Sequence, residues 1–254
     1  MKEMDRLVSI METLRAPGGC PWDAAQDHES LLPALIEEAY ELAEAIESAD
    51  SAAMAEELGD VLLQVVFHSI IGREQGAFDL ADVIDRLCQK LIYRHPHVFG
   101  ETRVADAREV VRNWDQLKNG ETGKKDRASI AHGIPASLPA LMYAAKLQAR
   151  ASLTGFDWAD APEVMEKIQE EADETRAALE AGDQSGAADE IGDLIFSAVN
   201  LARKLGIDPE AAVRRANRRF AERFARIEKA AADRGISAAD IPMDEKERIW
   251  QKAK

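Results

Sequence analysis

The chain has 254 residues, of which 46% are apolar, so it is long and apolar enough to bury one large core or two smaller ones. Its 32 basic and 47 acidic side chains give a net charge of −15. This balance argues against a general nucleic-acid-binding protein, which needs a basic surface. An acidic chain can still bind metal cations, and it can bind anionic ligands through metals or local arginine clusters.

The sequence predicts neither a membrane span nor a secreted location. The longest apolar stretch, residues 61–71, is too short to cross a bilayer and is interrupted by polar side chains. Cys20 and Cys88 stand far apart and form no Cys-x-x-Cys pair, so we expect neither a disulfide framework nor a zinc site. Charged residues occupy the N-terminal segment where a signal peptide would be apolar. A cytoplasmic protein is therefore expected.

Apolar residues recur at spacings of three and four along most of the chain, which predicts helices and essentially no sheet. An N-terminal stripe from Met4 to Leu14 ends at the helix-stopping triplet that begins at Pro17. Glycines, prolines and charges mark residues 119–139 as a linker or exposed loop. The other predicted helices lie at residues 35–46, 55–71, 80–92, 140–152, 162–181, 187–205, 209–234 and 244–253.

Residues 37–67 match residues 170–200 without a gap, so each residue of the first segment has one equivalent in the second. The identical pairs include Glu37/Glu170, Glu38/Glu171, Glu41/Glu174, Glu57/Glu190, Gly59/Gly192 and Asp60/Asp193. Chance similarity between two Ala/Glu-rich helices would not preserve every one of these acids together with the glycine. The sequence therefore predicts an internal duplication, with one domain at 1–118, a linker at 119–139 and a second domain at 140–254. The expected fold is all-α, with two related helical bundles.

The duplicated acids have the spacing of a metal site. Glu38 and Glu41 lie three apart on one helix face, as do Glu57 and Asp60 on the next helix. A short connection makes the two helices antiparallel neighbours, so all four carboxylates can meet. Carboxylates that meet repel one another and raise each other's pKa, and a divalent cation removes this cost. Oxygen ligands without His or Cys favour Mg²⁺, or alternatively Mn²⁺, over zinc.

The alternative interpretation is a solvated acidic helix face. Two features oppose it: the duplication keeps all four acids, and the acids continue apolar stripes. Asp60 shares a face with Phe67, and Asp193 shares one with Phe196, so these positions are predicted to point towards a packed interior. The predicted ligands of the second site are Glu171, Glu174, Glu190 and Asp193.

A helix predicted near residues 213–227 carries arginines beside an apolar seam. An arginine fork can donate two hydrogen bonds to a phosphate group at once, so Arg219 and Arg223 are the predicted phosphate ligands. The alternative is a surface lattice of ion pairs. Asn217 lies in the seam and Asn200 on the face that bears Asp193, and each needs either a backbone partner or a ligand if it is buried.

The pattern E-E-x-x-E, followed by E-x-G-D, occurs at Glu37 and again at Glu170, and it resembles the MazG nucleotide pyrophosphohydrolases. Segments of residues 18–23, 94–99 and 155–158 are also similar to full-length MazG proteins with two domains. The resemblance spans nearly the whole chain. It implies two tandem MazG-type helical bundles and a homodimer, in which helices of both copies complete each four-helix site.

The resemblance also implies an activity, namely hydrolysis of ribo- and deoxyribonucleoside triphosphates to the monophosphate and pyrophosphate with loose base preference. By similarity, Glu171, Glu174, Glu190 and Asp193 bind Mg²⁺. The residues that contact nucleotide or orient the site are Lys167, Glu170, Arg219, Arg223 and Trp250. In several relatives the second domain is the active one, although the first copy here keeps all its acids. Neither a nucleic-acid nor a membrane partner is implied.

The expected mechanism is metal-assisted attack of water on the α-phosphorus, with a glutamate accepting the proton. Glu170 and Glu171 are both candidates, and the sequence does not choose between them. Other interpretations remain open: a dUTPase-like or phosphoribosyl-ATP-cleaving enzyme, a di-iron bundle, or an inactive scaffold or regulatory protein. A di-iron bundle is disfavoured because no histidine follows a glutamate by three residues.

Overall fold

The computed structural model describes residues 2–106, 109–110, 117 and 129–253. Within these ranges the chain forms helices and no β-strand, which confirms the all-α prediction. The chain divides into two compact units, Met1–Lys125 and Asp126–Lys254. Residues 119–128 of the predicted linker lie outside the described residues. None of the described helices combines the length and apolar character needed to span a membrane.

The N-terminal unit is organised around the long fourth helix. Its helices are α1 (Lys2–Arg15), α2 (Pro21–Ala25), α3 (Leu32–Ser48), α4 (Ser51–Glu74), α5 (Leu80–Arg94) and α6 (Pro96–Phe99). The buried end of α4 contributes Val66, Phe67 and Ile70 to a core that also contains Met11 of α1 and Leu31. The predicted helices are present, but the short helices α2 and α6 were missed because a single turn leaves no apolar periodicity in the sequence.

Helices α3 and α4 are joined by a tight turn that makes them neighbours. Ala49 ends α3 in the left-handed conformation, with φ 56°. Asp50 then caps α4, since its side chain accepts hydrogen bonds from the backbone N–H groups of Ala52 at 2.9 Å and Ala53 at 3.2 Å. The left-handed residue reverses the chain and the aspartate starts the next helix, so the acids of α3 are brought towards those of α4.

The C-terminal unit repeats this arrangement. Its helices are α7 (Ala140–Ser152), α8 (Ala161–Ala181), α9 (Gln184–Lys204), α10 (Pro209–Ala232) and α11 (Met243–Lys252), with a 3-10 turn at Ala238–Asp240. Gly182, the equivalent of Ala49 in the duplication, ends α8 at φ 69°, and Asp183 caps α9 through the N–H of Gly186. The equivalent turn therefore forms the equivalent helix pair in both copies.

Two buried regions stabilise the C-terminal unit. Val164 of α8 and Val199 of α9 are buried, at 0% and 2% exposure. The other region is a cluster of Ile227, Ala231 and Ile241, against which Trp250 of α11 packs. The candidate site lies on the α8–α9 pair.

The left-handed turn yields a stability prediction. Ala49→Gly should stabilise the N-terminal unit by about 0.5–1 kcal/mol, because glycine adopts a positive φ without the strain of a Cβ. The reciprocal change Gly182→Ala should destabilise the C-terminal unit, since a Cβ there meets no atom within 4 Å and adds only backbone strain. Urea denaturation of the full chain measures both. A loss of stability in Ala49→Gly would contradict the described turn.

Candidate active site

Three carboxylates converge between α8 and α9. Glu171 and Glu174 lie three residues apart on α8, and Glu190 faces them from α9. One carboxylate oxygen from each residue lies within 4.8 Å of those of the other two. The sequence predicted this convergence from the spacing of the acids and the short α8–α9 connection.

Glu171 is the buried member of this group, with 4% of its surface exposed. Lys167, one turn earlier on α8, places its Nζ 2.7 Å from Glu171 Oε1 and 3.1 Å from Glu170 Oε1. Hydrogen bonding to Glu171, and then to Glu170, raises the pKa of Lys167 above its ordinary value. Because a buried carboxylate needs a compensating charge, the Lys167 ammonium offsets the charge of Glu171.

The electrostatics of Glu190 suit a cation. Partial burial raises the pKa of Glu190, and the charges of Glu174, Glu171 and Asp193 raise it further, together with a hydrogen bond to Glu171. A divalent cation among these carboxylates would remove that repulsion. The ligand set contains only oxygen, so the residues present fit Mg²⁺ or Mn²⁺.

Asp193 stands apart from the three-residue group. It does not join the carboxylates that lie within 4.8 Å of one another, but it lines the same cavity as Glu171. Asp193 is exposed and Phe196 is 43% exposed, so the prediction that they point into a packed interior is wrong. Their helix face lines a cavity instead, and apolar periodicity does not distinguish a cavity wall from a core.

The cavity has a volume of about 690 Å³, within the usual range for small-molecule sites. Lys167, Glu171 and Asp193 contribute charged groups to its wall. Its other lining residues include three aromatic and three polar side chains, namely Phe156, Trp158, Phe196, Gln148, Asn200 and Arg203. The buried acid thus borders a space that also offers apolar and hydrogen-bonding surface.

Ion pairs anchor the loop that carries the aromatic residues. Asp157 accepts hydrogen bonds from Arg203 and from Lys204, the latter at 2.9 Å, and Lys204 also donates to the backbone oxygen of Trp158. Although burial acts to raise the pKa of Asp157, the hydrogen bonds from Lys204 and Arg203 hold it below its ordinary value. Arg203 also donates to Asn200 Oδ1 at 2.7 Å, so the amide predicted as a ligand has a side-chain partner.

The residues predicted on α10 and α11 lie away from this cavity wall. Arg223 stacks over the ring of Trp250 at 5.6 Å, and Arg219 is exposed. The cavity lining includes none of the predicted nucleotide contacts of these two helices, namely Asn217, Arg219, Arg223 and Trp250. Asn217 is exposed, so the idea of a buried amide in the apolar seam is wrong. Only the C-terminal end of the seam is covered: Ile227 is 3% exposed, whereas Phe220 is 58% exposed.

The N-terminal unit has an acid group of its own. Carboxylate oxygens of Glu38, Glu41 and Glu57 lie within 4.8 Å of one another. Burial raises the pKa of Glu38 and of Glu57, and neighbouring acids, including Asp60, raise both further. Three of the four predicted acids therefore cluster in each copy, whereas Asp60, like Asp193, lies outside its group.

The surroundings of the two acid groups differ. At the offset of the duplication, Ala34 corresponds to Lys167, so the first copy lacks this lysine. Arg15 stands 133 residues before Gln148 but lies outside the matched segments. The Arg15 side chain is 7% exposed, lies over the Phe67 ring at 5.2 Å and pairs with Glu74 at 2.6 Å. A buried arginine in an ion pair thus lies beside Phe67, the equivalent of Asn200.

Sequence reasoning missed Gln148, Arg203 and Lys204. The segment of residues 155–158 resembles full-length MazG proteins, and its Asp157 is the partner of both Arg203 and Lys204. No sequence pattern marks Gln148 as a cavity residue, because a single glutamine within an apolar helical stripe forms no motif with its neighbours. The position of its side chain depends on tertiary packing.

Comparison with known proteins identifies families and chains that are similar to this one. A family model described as the MazG nucleotide pyrophosphohydrolase domain matches residues 26–99, and one described as phosphoribosyl-ATP pyrophosphohydrolase matches residues 138–220. A crystal structure of a MazG-related protein from Thermotoga maritima is 32% identical, covers 45% of this chain and 98% of that chain, and has a TM-score of 0.39.

Two relatives align along nearly their whole length. The nucleoside triphosphate pyrophosphohydrolase/pyrophosphatase MazG of Thermotoga maritima is 49% identical over 98% of this chain and 95% of its own. The nucleoside triphosphate pyrophosphohydrolase of Escherichia coli K12 is 41% identical over 100% of this chain and 98% of its own. The chain is therefore an enzyme of the pyrophosphohydrolase class. It belongs to the MazG family, as the sequence motifs indicated.

The acid group leads to a prediction for the metal-free protein. Because the pKa of Glu190 is raised in the fold, its charged form disfavours folding, and stability falls as the pH rises through that raised pKa. At neutral pH with a chelator, Glu190→Gln should therefore raise the melting temperature above that of the wild type. Added Mg²⁺ should stabilise the wild type and have a smaller effect on the variant.

Differential scanning fluorimetry with a chelator and with Mg²⁺ measures both effects. Asp189→Asn removes an exposed charge at the preceding position of α9 and is the matched control, which should keep the full response to Mg²⁺. An equal Mg²⁺ response in wild type and Glu190→Gln would show that Glu190 is not a ligand.

Proposed function

We propose that this enzyme hydrolyses ribo- and deoxyribonucleoside triphosphates, with broad base preference, to the monophosphate and pyrophosphate. The supporting observation is the burial of Glu171 at the wall of a cavity of about 690 Å³, with two further carboxylates within 4.8 Å. A solvated acidic helix face would have neither the burial nor the adjoining cavity. The C-terminal unit is the proposed catalytic unit, because it combines this cavity with Lys167.

Glu171, Glu174, Glu190 and Asp193 would hold Mg²⁺, or alternatively Mn²⁺. A bound divalent cation supplies charge neutralisation to the triphosphate and lowers the pKa of an attacking water. Lys167 is the proposed first phosphate contact from the protein, because its ammonium group lies at the cavity wall beside Glu171. Once a cation compensates Glu171, Lys167 can donate to a phosphate oxygen instead.

Glu170 is the proposed proton acceptor in the attack of water on the α-phosphorus. It shares Lys167 with Glu171 but lies outside the group of three converging carboxylates. Its side chain is 57% exposed, so it can reach a water molecule that the metal ligands do not hold. Glu171 is less suitable, because its oxygens are committed to Lys167 and to the metal site.

We further propose a homodimer. The seam of α10 leaves Val213 45% exposed and Phe220 58% exposed, which is typical of a surface that meets another protein. Arg219, Arg223, Asn217 and Trp250 would contact nucleotide in the dimer, where this region is covered. A cytoplasmic location is proposed on the ground that nucleoside triphosphates are made and used there.

A second candidate substrate is phosphoribosyl-ATP, favoured by the family model that matches residues 138–220. It carries the same triphosphate group, so the same acids would act on it. A substrate panel that includes the four common ribonucleotides, their deoxy forms and phosphoribosyl-ATP separates a broad enzyme from a dedicated one by the ratio of kcat/KM values.

Hydrolysis in ¹⁸O-labelled water tests the reaction itself. Attack on the α-phosphorus places the label in the nucleoside monophosphate, whereas attack on the β-phosphorus places it in pyrophosphate. We expect Mg²⁺-dependent pyrophosphate release with all of the label in the monophosphate, as measured by mass spectrometry. Label in pyrophosphate, or release of single phosphate groups, would contradict the proposal.

Substitutions separate the roles of the two neighbouring glutamates. Glu171→Gln should lower kcat/KM at least about 100-fold and weaken the Mg²⁺ dependence, since even groups that merely orient ligands contribute this much. Glu170→Gln should lower kcat about 100-fold, as expected for a lost proton acceptor, with unchanged half-saturation by Mg²⁺. Steady-state pyrophosphate release measures both.

Two further variants complete this test. Glu166→Gln removes an exposed carboxylate from the same helix and should behave as wild type. Glu38→Gln alters the N-terminal acid group, and retention of most activity would assign turnover to the C-terminal unit. Full activity in Glu171→Gln would overturn the assignment of the site.

A further inference from the structure

Gln148 lines the C-terminal cavity and carries an unsatisfied buried acceptor. The residue is 6% exposed, and its Nε2 donates to the backbone oxygen of Phe196 at 2.8 Å. That bond fixes the orientation of the amide, and the buried Oε1 has no hydrogen-bond partner. An unpaired buried carbonyl is costly, so a partner from a ligand in the cavity would be favoured.

We infer that Gln148 recognises the base of the substrate, with Oε1 accepting a hydrogen bond from an N–H group on the base edge. The base would lie against Phe156 and Trp158, the aromatic residues of the anchored loop. This inference rests on the proposed function, because it assumes that the cavity beside Glu171 receives a nucleotide. It assigns a specificity-determining role to a residue that the sequence motifs do not include.

The chemistry of the wall fits a base better than a phosphate group. A carbonyl oxygen repels phosphate oxygens, whereas it pairs well with a ring or exocyclic N–H. Asn200 completes the recognition: its Oδ1 is occupied by Arg203, so its amide N–H groups remain as donors. Gln148 and Asn200 together offer one acceptor and one donor, which is the pattern that a base edge requires.

The aromatic residues supply the second part of the base site. Phe156 is 83% exposed and Trp158 is 41% exposed, and both line the cavity. A base has two apolar faces, and stacking on an aromatic side chain tolerates every base. The triphosphate would then extend towards Lys167 and Glu171, where the charged groups of the wall lie.

The first copy lacks this acceptor. Arg15, which lies over Phe67 in that copy, can only donate hydrogen bonds, and its guanidinium group is already paired with Glu74. Phe67 is the equivalent of Asn200, so the donor is missing as well. The two copies therefore share their acids but differ at both positions that would recognise a base.

An acceptor at position 148 predicts which bases the site binds and which it discriminates against. Every common base carries at least one edge N–H, so the site tolerates all of them. A base whose edge N–H groups are methylated should be discriminated against. Uracil is the sharpest probe, because N3–H is the only N–H on its free edge.

The test is calorimetric titration of the full chain, in Mg²⁺, with uridine 5′-monophosphate, its N3-methyl derivative and ribose 5-phosphate. The wild type should bind uridine monophosphate about 10-fold more tightly than the N3-methyl form, the value of one well-placed hydrogen bond. Gln148→Met should lose about 10-fold in affinity for uridine monophosphate and no longer distinguish the methylated form. Its affinity for ribose 5-phosphate should not change.

Phe156→Ala tests the same site without disturbing a buried residue. This variant should bind uridine monophosphate about 10-fold more weakly, because stacking is lost, and its affinity for ribose 5-phosphate should not change. Leu153→Ala is the matched control, because Leu153 is 63% exposed on the same loop and does not line the cavity. It should bind all three ligands as the wild type does.

Equal affinity of the wild type for uridine monophosphate and its N3-methyl form would overturn the inference. So would a Gln148→Met variant that loses affinity for ribose 5-phosphate as much as for the nucleotide, since this indicates a structural role. These titrations require no turnover. A wild type that discriminates between the monophosphates but releases no pyrophosphate from any triphosphate would refute the proposed function alone.

Discussion

The C-terminal site depends on keeping the buried carboxylate of Glu171 beside those of Glu174 and Glu190. Negative charges at this separation repel one another, and the burial of Glu171 adds a desolvation cost for its charge. The fold holds them together through the α8–α9 pair, whose connection is a left-handed glycine followed by an aspartate cap. Lys167 offsets part of the repulsion. The remaining repulsion would favour the binding of a cation among these carboxylates.

The two copies of the duplication share their acid groups but differ in the residues around them. Both copies keep the converging acids and the tight turn that aligns their helices. Only the second copy has the lysine beside the buried acid, an amide acceptor at position 148 and an asparagine at position 200. In the first copy, Arg15 and Phe67 stack on each other in the corresponding place. Two similar acid groups can therefore have different roles.

Most of the fold and the central acids could be predicted from the sequence. The helices follow from apolar periodicity, and the convergence of Glu171 with Glu190 follows from their spacing and a short connection. Cavity walls and open surfaces were harder to predict. Phe196 and Asn217 were expected in covered positions, but a stripe of apolar residues does not reveal what, if anything, lies opposite. Gln148 could not be found, because an unsatisfied amide exists only once other helices surround it.

The most direct test of the account is anomalous diffraction from crystals of the full chain grown with Mn²⁺ and a non-hydrolysable nucleoside triphosphate analogue. We expect an anomalous peak among the carboxylate oxygens of Glu171, Glu174 and Glu190, with oxygen distances of about 2.0–2.2 Å, as for small divalent cations. A triphosphate bound in the cavity with no peak at these carboxylates would contradict the central claim, because the acids would then have no cation to hold.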